Sequence, residues 1–511
     1  MNHLSYLTHT VIFILLVGCA RQDKNTVANT GQLNVLFIIA DDLNCDLGAY
    51  GNNIIKTPNI DRLAKSGVVF ENAHNQYPLC GPSRASFMTG MYTEQTQITK
   101  NNIFLRSSIP DVITLGQRFR QQGYQSVRIG KIFHYDNPSA IGTSGTDDVY
   151  TWDQTINPYG RDKIEEYKIN TLSPRKYGAT LSWLAANGTD LEQTDGIGAT
   201  KAIEQLDNFS KNGTNFFLAV GFYKPHTPFV APKKYFDLYN TEAISIPKSS
   251  DDYLKTIPVP AARSIRAKPN QLNLHDSVAK EIKEAYYATI SFVDAQVGRI
   301  LDKLEQTGLS KNTIIVFTSD HGYHLGEHGH WQKQTLFENS TRVPLIFSYP
   351  GIKNKGLTTN SPVELIDIYP TIMDLTGIST PNHVVGKSLQ PIINTEIESV
   401  RKSALTRWRN GYSIKTNRYR LTQWGKNGEL GYELYDHKND KKELHNLSSD
   451  TNYRLILDSL KVLLNTRIDK AKLKPEGIGR QLKNFTPLPK APNLTFGDKY
   501  NSKGEIIYTK K

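Results

Sequence analysis

The sequence predicts an α/β fold: a sandwich with a large, mostly parallel central sheet flanked by helices, followed by a small C-terminal subdomain with an antiparallel sheet. Three observations lead there. Short apolar runs without alternation recur at residues 35–40, 126–129, 216–222, 314–317 and 343–347. Strands that are apolar on both faces belong inside a sheet covered by helices on each side. Helical patterns lie between them, and strand alternating with helix implies parallel pairing. From about Arg401 the texture changes to short aromatic segments interleaved with polar residues, around Tyr412, Tyr419 and Tyr432. That pattern suits an antiparallel sheet with one face wet.

Taken along the chain, the first eighteen residues carry no Lys, Arg, Asp or Glu, and their apolar run at 11–17 is too short to span a bilayer. It ends Leu16-Val17-Gly18-Cys19 and turns polar at Arg21, like a signal peptide (1–19) closed by a lipobox, after which Cys19 carries lipid. An ordinary cleaved signal has the same apolar run. Either way the expectation is export to the periplasm or cell surface, with membrane contact only through that N-terminal lipid anchor. Residues 20–33 read as a polar tether, 34–400 as the main domain and 401–511 as the C-terminal subdomain. In the main domain the clearest helix sets Ile282, Tyr286, Ile290, Val293, Val297, Ile300 and Leu304 at steps of three and four, one apolar stripe. Gly308 closes it and Thr313 opens the next strand. In the subdomain an amphipathic helix is expected near 455–464, then an extended tail.

Composition sets outer limits. The 511 residues leave room for two domains, and 38% apolar with 22% charged residues excludes global disorder. Lys and Arg total 61 against 49 Asp and Glu, a net charge of +12 that attracts polyanions. Three cysteines exclude a disulfide scaffold and a cysteine-built zinc cluster.

The residues just past each apolar run are the informative ones. After Ala40 come Asp41 and Asp42; after Ile129, Lys131 and His134; after Phe222, Lys224 and His226; after Thr318, Asp320 and His321. In open α/β sheets ligands bind beyond the carboxyl ends of the strands, so four strands deliver charged or imidazole groups to one edge. Asp41, Asp42 and Asp320 crowd together only if a cation neutralises them, and hard oxygen donors favour calcium or magnesium. His321 either adds a nitrogen ligand or contacts the substrate. His324, His328 and His330 invite a zinc reading, but intervening glycines break any helix that would align them, and packing is the better assignment.

A second constellation runs Cys80-Gly81-Pro82-Ser83-Arg84 to Thr89-Gly90. Pro82 suits a first helical turn and Gly90 a C-cap. Residue 80 therefore starts a helix, where an anion is stabilised and a thiol's pKa is lowered, with Arg84 one turn on and able to reach back. An inert buried thiol is the alternative.

The pattern Cys80-x-Pro82-Ser83-Arg84-x-x-x-x-Thr89-Gly90 resembles the signature of type I sulfatases, in the alkaline phosphatase-like superfamily. The resemblance extends over residues 34–42, Thr57 to Leu63, Phe317 to Gly322 and Glu433 to Leu447. Lys131 to His134, Lys224-Pro225-His226 and His321 look most like the iduronate-2-sulfatase branch. It implies that Cys80 is oxidised to formylglycine by a maturation enzyme. It further implies that the hydrated aldehyde attacks sulfur, leaving a covalent adduct that its second hydroxyl expels. Calcium, rather than magnesium, would be held by Asp41, Asp42, Asp320, His321 and residue 80. Arg84 would hold the diol and Lys131 and Lys333 the sulfate. His226 would act as acid and His134 as base, an assignment that is open to exchange. Lys224 either sits beside the sulfate or shapes the turn at Pro225. The implied activity is sulfate-ester hydrolysis on a sulfated polysaccharide, ulvan or a glycosaminoglycan, with a 2-O-sulfated uronate-like sugar leading and no nucleic-acid partner. Specificity is expected from loops near 135–200 and 250–275, with Tyr323, His324, Trp152 and Trp408 as subsite candidates. The rivals are a phosphodiesterase or phosphonate hydrolase of the same superfamily, and a non-catalytic glycan-binding lipoprotein.

Overall fold

The computed structural model describes residues 32–174, 176–248, 252–476, 478, 498–503 and 505. The signal segment, the lipobox with Cys19, nearly all of the tether and most of the tail lie outside the described residues. Among the described residues no helix is long and apolar enough to cross a membrane.

The main sheet is built from Asn34–Asp41 (β1), Val68–Phe70 (β2), Gln125–Gly130 (β3), Gln154–Pro158 (β4), Phe216–Pro225 (β5), Thr313–Ser319 (β6), Leu345–Ser348 (β7) and Thr358–Thr359 (β8). Asp498–Tyr500 completes it, so the described piece of the expected tail is an edge strand. The spatial order is β8-β2-β7-β6-β1-β5-β3-β4, then Asp498–Tyr500. Every pairing is parallel except those of β7, which runs against both β6 and β2. The apolar run at 343–347 is thus a reversed strand, a direction that composition does not encode.

Burial on both faces explains the continuous apolar runs. Leu36, Ile38 and Ala40 of β1 pack with the helices Pro58–Ser66 (α1), Thr194–Asn212 and Asp276–Gln306. Val35, Phe37 and Ile39 pack with Cys80–Thr89, Leu115–Gln121 and Ile368–Thr376 on the other side. Each such side chain removed from water contributes about 1.5–3 kcal/mol. The seven residues of the predicted stripe all fall in Asp276–Gln306, none more than 1% exposed.

The C-terminal sheet is an antiparallel meander of Ala404–Trp408, Gly411–Lys415, Tyr419–Trp424 and Tyr432–Asp436. Neither face is wet, contrary to the alternation. Leu405, Ile414, Leu421 and Leu434 lie under the helix Arg454–Lys472, while Trp408, Trp424 and Tyr435 pack on Tyr77, Tyr253 and Phe337. The polar residues that suggested solvent are paired with one another. Glu433 accepts from Trp424 Nε1 at 2.6 Å and from the Tyr435 hydroxyl at 2.8 Å. Arg420 donates to Glu443 at 2.6 Å and also pairs with Glu338. That last network joins the meander to the segment following Lys333.

Candidate active site

The four strands that end in chemistry, β6, β1, β5 and β3, are neighbours at the centre of the sheet and all point the same way. Their carboxyl ends therefore converge. The register of β1 on β5 shifts between Ala40 and Asp41, and Asp42 takes a left-handed backbone with φ of 62°. Asp tolerates that conformation better than most residues, and the kink brings successive carboxylates into one site.

Helix Cys80–Thr89 docks on the same edge, ending as predicted at Gly90 with φ of 68°. Its sequence pattern has a structural reason. The Ser83 hydroxyl donates to the Asp320 carbonyl, and Arg84 Nε donates to Asp320 Oδ2 at 2.8 Å. Arg84 also reaches Asp41 Oδ1 at 2.8 Å and the carbonyls of Lys131 and Ile132 at 2.8 and 2.9 Å. The guanidinium thus clamps two carboxylates rather than turning back to residue 80. Gly81 lies against Asn101, which accepts its N–H at 2.9 Å; a Cβ at Gly81 would come within 2.9 Å of that oxygen.

Residue 80 lies at the floor of the site. Its Sγ is 3.2 Å from Lys333 Nζ, 3.3 Å from His321 Nε2 and 3.7 Å from Asp42 Oδ1. Lys333 arrives from a distant loop and bonds both oxygens of Asp42, at 2.6 and 2.8 Å. It stands between Gln332 and Gln334, whose φ values are 86° and 74°, backbone strain of the kind that collects at functional sites. His321 Nε2 lies 3.2 Å from Asp42 Oδ1, and His226 Nε2 lies 3.6 Å from Asp42 Oδ2.

Three cationic side chains face the three carboxylates. Asp41, Asp42 and Asp320 meet Arg84, Lys131 and Lys333, with Lys131 Nζ 2.6 Å from Asp41. Burial raises Asp41 to about 7, against the pull of Lys131 and Arg84. For Asp42 burial acts the same way, but His226, Lys333 and His321 outweigh it and hold the carboxyl low. Arg84 and His321 do likewise for Asp320. The Cys80 thiol departs from expectation: burial pushes it well above its usual range, and Lys333 offsets this only in part. Desolvation of a group 1% exposed exceeds the benefit of the helix terminus.

The imidazoles have defined partners. His226 Nδ1 lies 2.6 Å from the Thr227 carbonyl. A carbonyl can only accept, so Nδ1 carries the proton and Nε2 faces Asp42. His134 Nε2 lies 3.0 Å from Asp136, while its buried Nδ1 has no partner among the described residues. Burial lowers His134 to about 4 and His226 well below the ordinary histidine value.

A cavity of about 520 Å³ opens over residue 80, with His134, His226 and Lys333 on its walls, a volume in the usual range for a small-ligand site. Its rim comes from both loops that sequence pointed to: Asp136, Asn137, Lys163, Glu166 and Tyr177 from one, Lys268 from the other. Lys131 lies behind Asp41 and does not line it. Lys224 does not either: its ammonium donates to the Pro228 carbonyl at 2.7 Å, tying the turn around His226, which removes it from the sulfate set. The four subsite candidates are also placed elsewhere. Trp152 donates to Asp147 within the core, Tyr323 stacks on Tyr286 and Trp408 packs on Tyr77. His324 packs edge-on to His328 and His330, with centroids 5.8 and 4.9 Å away. Lys268, Asn101 and Asn137 were missed because no local motif surrounds them.

Asp42, Cys80, Asp320 and His321 each present a ligand atom within 4.8 Å of the others, and Asp41, Asp42 and His226 form an overlapping set. The carboxylates and imidazoles of this donor set fit a hard divalent cation.

Known proteins resemble this chain in sequence and in fold. The sulfatase family profile matches residues 33–378, and that of the N-sulphoglucosamine sulphohydrolase C-terminal region matches residues 326–470. A sulfatase of Formosa agariphila is 36% identical over 468 residues, covering 88% of this chain and 90% of that protein. Iduronate 2-sulfatase of Homo sapiens is 33% identical over 411 residues, covering 72% and 74%. Among solved structures, a 2-O GAG sulfatase superposes with a TM-score of 0.67 at 25% identity, over 87% of this chain and 95% of its own. The phosphonate monoester hydrolase of Silicibacter pomeroyi superposes with a TM-score of 0.72 at 22% identity, over 89% and 100%. The latter likeness shows the fold alone.

Proposed function

We propose that this chain, which belongs to the sulfatase family and is a sulfuric ester hydrolase of alkaline phosphatase-like fold, removes O-sulfate from a polysaccharide or oligosaccharide, with a 2-O-sulfated uronate-like sugar as its leading substrate. The observation that carries this reading is residue 80, at a helix start on the floor of an open cavity and flanked by Lys333, His321 and Asp42. An unmodified Cys80, its thiol pushed well above the usual range, is a poor nucleophile at neutral pH. That supports formylglycine at this position, made by a maturation enzyme. The hydrated aldehyde supplies a hydroxyl nucleophile and a second hydroxyl able to release the bound sulfate. Calcium, held by Asp41, Asp42, Asp320, His321 and residue 80, would supply Lewis acidity toward a sulfate oxygen.

The remaining steps belong to the side chains. Lys333, held cationic by Asp42 despite its burial, faces residue 80 and stabilises the sulfate's negative charge as the S–O bond stretches. Arg84 and Lys131 act one layer back, fixing Asp41 and Asp320 so that the site is pre-organised. The neutral ring of His226 keeps its proton on Nδ1, so it acts as acid only as the imidazolium. It takes a second proton at Nε2, beside the Asp42 carboxylate and the sulfate's negative charge, and passes it to the leaving sugar oxygen. His134, held neutral by burial and oriented by Asp136, accepts a proton through Nδ1 when sulfate departs. Residues 34–400 form the catalytic domain in this reading, 1–19 direct its export to the periplasm or cell surface, and 20–33 tether it there.

Peptide mass spectrometry tests the proposal directly. The peptide containing residue 80 should be lighter than its cysteine form by about 18 Da, and Cys80→Ser should abolish release of sulfate. Undiminished turnover by that variant refutes the assigned nucleophile. Paired aryl sulfate and aryl phosphonate substrates, with and without EDTA, test the rival; faster phosphonate turnover would favour it.

A further inference from the structure

The cavity contains a cation that the chemistry above leaves unused. Lys163 and Lys333 line it with carboxylate partners, Glu166 and Asp42. The ammonium of Lys268 has none among the described residues. It donates to the Ala179 carbonyl at 2.6 Å and to Oε1 of Gln332. Both acceptors are neutral and both are held in place. The amide of Gln332 donates through Nε2 to Gln271 Oε1 at 2.6 Å and to the Ala179 carbonyl at 3.3 Å. Its oxygen is thereby turned toward Lys268. Gln332 also precedes Lys333, so one strained stretch of backbone supports both ammonium groups. An ammonium has three protons, and two are committed here. Burial and the like charge of Lys333 bring Lys268 down to about 8, the behaviour of a cation short of a counter-anion.

We propose that Lys268 binds a second anionic group of the substrate, a carboxylate or another sulfate on the sugar that bears the scissile ester, and so sets the enzyme's preference for doubly charged sugars. This rests on the reading of the cavity as the sulfate-ester site. A neutral sugar leaves Lys268 partly desolvated and unpaired, which disfavours it, whereas a dianion gains a charge-assisted hydrogen bond in a sheltered place.

The test is calorimetric binding in calcium buffer to a Cys80→Ala background, which prevents turnover. Three probes differ in one group: methyl glucoside 2-sulfate, methyl glucuronide 2-sulfate and methyl glucoside 2,6-disulfate. At least one dianion should bind about 10- to 100-fold more tightly than the monoanion, the range of one charge-assisted hydrogen bond. Adding Lys268→Met should bring that ratio within about threefold of unity, and Lys268→Arg should keep most of it. Whichever dianion is preferred identifies the group. Equal weakening of all three probes by Lys268→Met, or no preference for either dianion at the start, overturns the proposal. Failure of the sulfatase reading appears elsewhere, as a mature enzyme that releases no sulfate from an aryl sulfate.

Discussion

Replacing Arg84 by Met keeps much of the side chain's bulk and deletes its charge. Arg84, Asp41 and Asp320 all have side chains 0% exposed, and the guanidinium lies 2.8 Å from each carboxylate. Removing one partner of a buried ion pair costs about 3–5 kcal/mol, and the carbonyls of Lys131 and Ile132 lose donors at roughly 1–3 kcal/mol each unless water replaces them. Protonation limits the loss, because Asp41 is already raised to about 7 and loses one of the two cations that oppose the rise. A net loss of about 4–6 kcal/mol at pH 7.5 is expected, a large share of a typical folding free energy. The sign with pH comes from linkage. Without Arg84 both Asp41 and Asp320 hold protons more readily than in the wild type. Between pH 7.5 and 5.5 the folded variant therefore takes up more protons than the folded wild type does, and the variant's deficit shrinks as pH falls. Urea denaturation followed by tryptophan fluorescence in EDTA, at both pH values, measures this. Millimolar calcium should return part of the loss by neutralising the freed carboxylates. A variant within 1 kcal/mol of wild type at pH 7.5, or a deficit that grows on acidification, would refute the account of these charges.

Two other outcomes are expected from the structure. His226→Ala should slow hydrolysis of sugar sulfates by about 10²- to 10⁴-fold, the usual worth of a general acid, and affect aryl sulfates with good leaving groups far less; equal losses in steady-state kcat/KM argue against that role. His328 packs on Phe337 with centroids 4.2 Å apart, has no partner for either ring nitrogen among the described residues and is lowered to about 4 by burial. Its folded pKa lies below the unfolded value near 6.5, so its contribution to stability is lost as pH falls through that interval. His328→Phe should therefore gain about 2 kcal/mol relative to wild type between pH 8 and pH 5. The left-handed backbone at His328, with φ of 58°, penalises Phe equally at both pH values. Denaturation curves showing no pH-dependent difference would contradict the burial argument.

Much of the site was legible because its signals are local. Apolar runs report burial on two faces, and the residue after each run marks a carboxyl strand end; together these located Asp41, Asp42, Asp320, His321, His134 and His226. The helix start at Cys80 was readable from Pro82 and Gly90 in the same way. Alternation misled in the C-terminal meander, where Arg420, Glu433 and Glu443 are polar yet buried and paired. Local texture cannot distinguish a group satisfied by water from one satisfied by protein.

Residue order alone determined the type of fold, the strand edge that carries the chemistry and the motif that places residue 80 at a helix terminus. These depend on propensity and periodicity within a few residues. Only the tertiary structure decided which cations answer which carboxylates, that Lys224 serves its own turn, and that Lys268 reaches the cavity with no carboxylate bonded to its ammonium among the described residues. Lys333 and Asp42 are 291 positions apart and Lys131 and Asp41 are 90 apart. Electrostatic pairing depends on distance in space, and chain separation carries no record of that distance until the sheet has brought its strand ends together.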